Sequence, residues 1–112
     1  VRSWGSSLAE AFAQQVVAMM RYMTDLEYVA PAVRHTVHAE GHDLTSLLFN
    51  FLHEWLYAFT GEGFVARRIV VTHLGRAPYA ISATAVGDHF DLAKHTQGTE
   101  VKAITYNGMF IE

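Results

Sequence analysis

The chain has 112 residues, no cysteine, and eight Lys and Arg against eleven Asp and Glu, giving a formal charge of −3. That length suits a single domain over residues 1–112, and a hydrophobic fraction of 51% with 17% charged residues excludes a disordered chain. The lack of thiols excludes disulfides, thiolate metal sites and cysteine nucleophiles, and the acidic balance argues against tight binding to bare nucleic acid, which needs many cations on phosphates.

Ser7 and Glu10 have the spacing of a capping box. Leu8, Phe12, Val16, Met19, Met20 and Met23 follow at helical spacing, with Glu10, Gln14, Arg21 and Asp25 on the other side. This helix is expected to end near Thr24, with Pro31 closing the loop. Val33 to Glu40 alternates as a strand: Val33, His35, Val37 and Ala39 share one face, and Arg34, Thr36, His38 and Glu40 the other. Gly41 turns the chain and Asp43 is placed as the N-cap of a second helix. Leu44, Leu47, Leu48, Phe51, Leu52, Trp55, Leu56 and Phe59 form one apolar stripe of that helix. Ser46, Asn50, His53, Glu54 and Tyr57 are expected opposite, and Gly61 and Gly63 end it. Strands are predicted for Arg68 to Leu74, Tyr79 to Val86 and Thr99 to Tyr106, the last followed by an Asn107-Gly108 hairpin turn and a strand from Met109 to Ile111. A polar loop from His89 to Gly98 separates the second and third. The order implies an α+β fold, two amphipathic helices packed on a mainly antiparallel sheet.

Seven histidines raise a metal hypothesis. His35 and His38 point to opposite strand faces and cannot readily share an ion; His38 and His42 straddle the Gly41 turn, where solvated surface is the ordinary reading. His53-Glu54 begins like a zincin helix, but position 57 is Tyr where a second His is needed. No phosphate-cradling glycine loop precedes a helix, and no serine or threonine carries a local signature beside a base. A basic spot at Arg67, Arg68 and Arg76 reads first as solvated surface. The loop with Asp88, His89, Asp91, Lys94 and His95 is dense in ionisable groups. Glu100 and Lys102 lie two apart on a predicted strand, hence on one face and about 6.6–6.8 Å apart along it. They read either as an exposed ion pair or as a positioned cation ready for a phosphate or a partner's acidic group; spacing does not choose.

Three separated segments carry a family resemblance. Ser3-Trp4-Gly5 with the helix ending in Tyr22-Met23-Thr24-Asp25 is the first. Gly41-His42-Asp43-Leu44-Thr45-Ser46-Leu47-Leu48 running on to Tyr57 is the second, and Lys94-His95-Thr96-Gln97-Gly98-Thr99-Glu100-Val101-Lys102-Ala103-Ile104-Thr105-Tyr106 the third. In this order they resemble the archease family over nearly the whole chain. The resemblance implies an archease-like α+β domain that is a protein cofactor and not an enzyme. Its partner would be an RtcB-type tRNA-splicing ligase, whose loading with GMP from GTP, and hence multiple turnover in tRNA exon ligation, it promotes. Lys102 is implied as the functional lysine, with Glu100 and Thr99 beside it and Lys94 and His95 on a partner-facing loop. The family's divalent cation, calcium or magnesium, is implied to use aspartates lying before Val1 and after Glu112, so no metal ligands are expected in this stretch. His53 departs from the pattern, since relatives often carry an acidic residue there.

Two other classes remain open: a chaperone or modulator of another tRNA-modifying enzyme, such as a tRNA methyltransferase, and a metal-dependent hydrolase built on the histidines. The longest apolar runs fall short of the ~20 residues needed to span a bilayer, so no membrane role is expected. With no signal-peptide pattern at the start, the cytoplasm is the expected compartment and the nucleus the alternative. A start at Val1 and a stop at Glu112 inside a predicted strand suggest truncation at both ends.

Overall fold

A computed structural model describes residues 4–91, 103–104 and 110–111. Helix α1 spans Trp4–Met23, a 3-10 turn η1 covers Leu26–Tyr28, strand β1 is Val33–Gly41 and helix α2 is Leu44–Glu62. Strands β2 (Phe64–Arg76) and β3 (Tyr79–His89) follow, then the short β4 (Ala103–Ile104) and β5 (Phe110–Ile111). Strands β1, β3 and β2 form an antiparallel sheet with β3 in the centre, and β4 pairs antiparallel with β5 in a second sheet. The predicted α+β class therefore holds. The ladder Ala103↔Ile111 and Ile104↔Phe110 is what a hairpin turning at Asn107-Gly108 would give, though that turn lies outside the described residues.

Both helices lie on one face of the three-stranded sheet. Phe12, Val16, Met19, Met20 and Met23 of α1 and Leu47, Phe51, Leu52, Trp55 and Leu56 of α2 join Val37, Ala39, Phe64, Ile81, Ala83 and Ala85 in one buried cluster. The central strand is built mostly of small residues on that face, which lets the large rings of α2 come close. Each such large side chain contributes roughly 1.5–3 kcal/mol of transfer free energy before entropy is counted. Helix α2 runs over β1, α1 runs over β2, and β4 packs against α2. Among the described residues no helix is long and apolar enough to cross a membrane.

Local chemistry sets the boundaries. Asp43 caps α2 by accepting from the Ser46 amide at 2.7 Å, and the Ser46 hydroxyl accepts in return from the Asp43 amide at 3.2 Å. This reciprocal role explains why Ser46 is buried instead of facing solvent as its place opposite the apolar stripe suggested. Gly61 continues the helix; Gly63 ends it, with φ 72°, a left-handed conformation in which a Cβ is disfavoured. Ser7 does not cap α1, because the helix already includes Trp4 and Ser7 lies inside it. An N-cap needs non-helical backbone. Glu10 instead looks forward, its Oε1 accepting from Gln14 Nε2 at 3.4 Å.

The two long strands exceed their predicted spans, because β2 starts in the core at Phe64 and β3 continues past Gly87 to His89. Strand β2 is interrupted by register shifts between Ala66 and Arg68 and between Val71 and His73. At the first shift, Arg67 donates from Nη1 to the carbonyls of Leu26 (2.9 Å), Glu27 (3.2 Å) and Val29 (2.7 Å), fastening η1 to the sheet.

Candidate functional site

His38, Glu40, Asn50, His53, Glu54 and Tyr57 line a cleft of about 590 Å³ between β1 and α2. Strand alternation brings His38 and Glu40 to the same face of β1. His38 Nε2 lies 3.0 Å from Glu40 Oε2, and His38 Nδ1 lies 2.9 Å from Ser82 Oγ on the neighbouring strand. A carboxylate only accepts, so Nε2 carries a proton towards Glu40. In the neutral ring Nδ1 then accepts from the Ser82 hydroxyl. Both partners of the pair are more than half exposed, so water screens it and it orients the imidazole more than it stabilises the fold.

Helix α2 forms the opposite wall. Asn50 Nδ2 donates to the Glu40 carbonyl at 2.6 Å and ties the helix to β1. His53 sits one helical turn from both Phe49 and Tyr57, with ring centroids 4.5 Å and 5.4 Å away. Its Nδ1 is buried and has no hydrogen-bond partner among the described residues, a state that costs about 1–3 kcal/mol when nothing satisfies it. Glu54 and Tyr57 complete the wall and are exposed. The arrangement can accept and donate protons and can bind polar groups.

It does not assemble a metal centre. Among the described residues no group of three or more His, Asp or Glu converges on one point. His35 lies on the inner face of β1 beside Trp55 (5.8 Å) and Phe64 (5.0 Å), away from His38 as strand alternation requires. His42 pairs loosely with Asp43 at 3.7 Å. The Ser46 amide, more than any neighbouring charge, holds the Asp43 carboxyl below its usual range. His89 Nδ1 reaches the Glu62 carbonyl at 3.3 Å. The divalent cation implied by the family resemblance thus finds no ligand set among the described residues.

The basic spot separates. Arg67 and Arg68 adjoin at the first β2 shift, while Arg76 ends the strand at its turn, roughly 26 Å away at the strand rise. Thr99, Glu100 and Lys102, with Lys94 and His95, lie outside the described residues. The strand that continues from them is described: β4 begins at Ala103 and packs on α2, the helix that forms the cleft wall. Sequence reasoning missed the Asn50 clamp and the Arg67 fan, since both pair a side chain with a backbone carbonyl far away in sequence. His53 was visible as a departure from a family pattern, but the missing hydrogen bond of its Nδ1 among the described residues was not.

Similarity to known proteins extends over the whole chain. The model of the Archease protein family (MTH1598/TM1083) matches residues 1–112. The chain belongs to the archease family. "Protein archease" of Ictalurus punctatus is 49% identical over 112 residues, covering 99% of this chain and 69% of that protein. "Protein archease" of Danio rerio is 46% identical with the same coverage. The Pyrococcus abyssi protein archease is 40% identical over 116 aligned positions, covering all of this chain and 80% of its own length. Among solved structures, the solution structure of Methanobacterium thermoautotrophicum protein 1598 superposes with a TM-score of 0.72 at 28% identity, over 88% of this chain and 70% of that one. The archease fold therefore rests on both sequence and structure.

Proposed function

We propose that this chain is an accessory activator of an RtcB-type tRNA-splicing ligase and does not join RNA itself. In this reading it promotes loading of GMP from GTP onto the ligase, so that the ligase turns over repeatedly on tRNA exons. The observation that carries the proposal is the family match along the whole chain, which includes the Thr99-Glu100-Val101-Lys102-Ala103 run. Support also comes from the strand at the end of that run: β4 packs on a helix whose apolar stripe is largely buried. A positioned lysine is a compact point charge suited to a phosphate or a partner's carboxylate, and Glu100 beside it would hold that charge in place. A calcium or magnesium ion would be held by the carboxylates that the family resemblance places outside this stretch. The net charge of −3 leaves RNA binding to the ligase and protein contact to this domain.

The test is ligase guanylylation with α-labelled GTP, followed with and without substoichiometric archease of full family length. Wild type should raise the initial rate. Lys102→Ala should lower the stimulation while the far-UV circular dichroism stays unchanged. Equal stimulation by both proteins would remove Lys102 from the mechanism, and no stimulation by wild type would end the activator reading.

A further inference from the structure

A second groove, of about 640 Å³, runs between α1 and β2 and shares no lining residue with the histidine cleft. Ala13, Val17 and Ile69 give it a half-buried apolar lining, and Arg21, Arg67 and Arg68 supply three guanidinium groups. Residues 67 and 68 would face opposite ways on a regular strand. The register shift between Ala66 and Arg68 breaks that alternation and both arginines line the same groove, the re-aiming that a bulge allows. Arg67 is fixed through Nη1 by three carbonyls, and its Nη2 and Nε make no hydrogen bond among the described residues. Arg21 and Arg68 make no hydrogen bond or ion pair among the described residues. One anchored guanidinium and two unengaged ones thus share a groove in a chain that is acidic overall.

We propose that this groove binds the dianionic phosphate of a small phosphate monoester. Guanidinium forks match phosphate oxygens in pairs, and a monoester carries about −1.5 to −2 charge at pH 7. The volume lies within the usual range for small-ligand pockets. A nucleic-acid strand fits poorly. Among the described residues no aromatic ring lines the groove for a base to stack on. Glu10, roughly 16 Å along the helix from Arg21, adds a carboxylate to the lining, which disfavours a run of phosphates along the groove. The site is separate from the ligase reading and stands or falls without it.

The experiment is an NMR titration of the arginine Nε–Hε signals of the folded chain with inorganic phosphate, AMP and dimethyl phosphate. Phosphate and AMP should shift the Arg21, Arg67 and Arg68 signals at millimolar concentration with similar affinity, and dimethyl phosphate should bind more weakly. Arg21→Gln and Arg68→Gln should each weaken phosphate binding about three-fold, the scale of one exposed charge pair, whereas Arg76→Gln at the far end of β2 should leave it unchanged. Arg67 is kept intact because it also holds η1. No localised shifts with phosphate, an unchanged response in the Arg21→Gln/Arg68→Gln double variant, or equal binding of dimethyl phosphate would overturn the proposal. Displacement of AMP by an oligonucleotide lacking a terminal phosphate would do so too.

Discussion

Trp55 offers a sharp test of how the core is balanced. It is completely buried, with ring centroids 6.1 Å from Phe51, 6.3 Å from Phe64 and 5.8 Å from His35. Its indole Nε1 has no hydrogen-bond partner among the described residues. Trp55→Ala removes nearly all of that packing and should cost about 3–5 kcal/mol. At roughly 5 °C per kcal/mol for a domain of this size, the melting temperature should fall by about 15–25 °C. Trp55→Phe is a different perturbation. It deletes about three heavy atoms, a loss of roughly 2 kcal/mol on the methylene scale. It also deletes the unsatisfied donor, whose burial costs about 1–3 kcal/mol. The two terms oppose each other and nearly cancel, so Trp55→Phe should lie within about 1 kcal/mol of wild type. Urea denaturation followed by far-UV circular dichroism avoids the tryptophan signal and reads both variants on one scale. If Trp55→Phe lost as much stability as Trp55→Ala, the indole N–H would have to be satisfied in the native protein, and the expected cancellation would be refuted.

Two further outcomes concern the backbone and the cap. A Cβ on Gly87 would lie 2.9 Å from the Val65 carbonyl carbon and 3.1 Å from the Ala66 Cα, both backbone atoms of the paired strand, so Gly87→Ala should cost more than about 4 kcal/mol. At Gly61, inside α2, a Cβ meets nothing within 4 Å, so Gly61→Ala should stabilise by about 0.4–1 kcal/mol; comparable midpoints for these two variants would contradict the strand spacing. The Asp43 carboxyl is held below its ordinary value of 3.8 chiefly by the Ser46 amide. Its stabilisation is therefore present above the unfolded-state carboxylate range and is lost as pH falls through the lowered folded value. Asp43→Asn should be the less acid-sensitive protein, so that the gap between it and wild type closes on acidification; parallel pH profiles would count against the cap as the source.

Much of this fold could be read from side-chain period alone. The stripe on α2 and the alternation on β1 each name residues the structure buries, since burial of one face is what those periods encode. Ser46 shows where the period fails: its hydroxyl is needed by the backbone at the helix start, and that need outranks its polar character. Ser7 shows a local signal overridden, because the chain is already helical a turn earlier. Arg67 was legible only as charge. Its three carbonyl partners are about 40 residues away, a closeness that only the folded chain creates. Of the proposed partner-activating residues, the sequence supplied the names and a likeness to archease. The structure supplies the helix under the strand that continues from them.

The irregular edge of β2 has a consequence for solubility. Thirteen residues of extended chain lie at the border of the three-stranded sheet, and a straight border of that length would offer its unpaired amides and carbonyls to a second molecule. The two register shifts break the even spacing an incoming chain would need, and the guanidinium groups at the first one add charge to the same margin. An edge interrupted in this way is a poorer template for sheet-to-sheet pairing than a straight one of the same length.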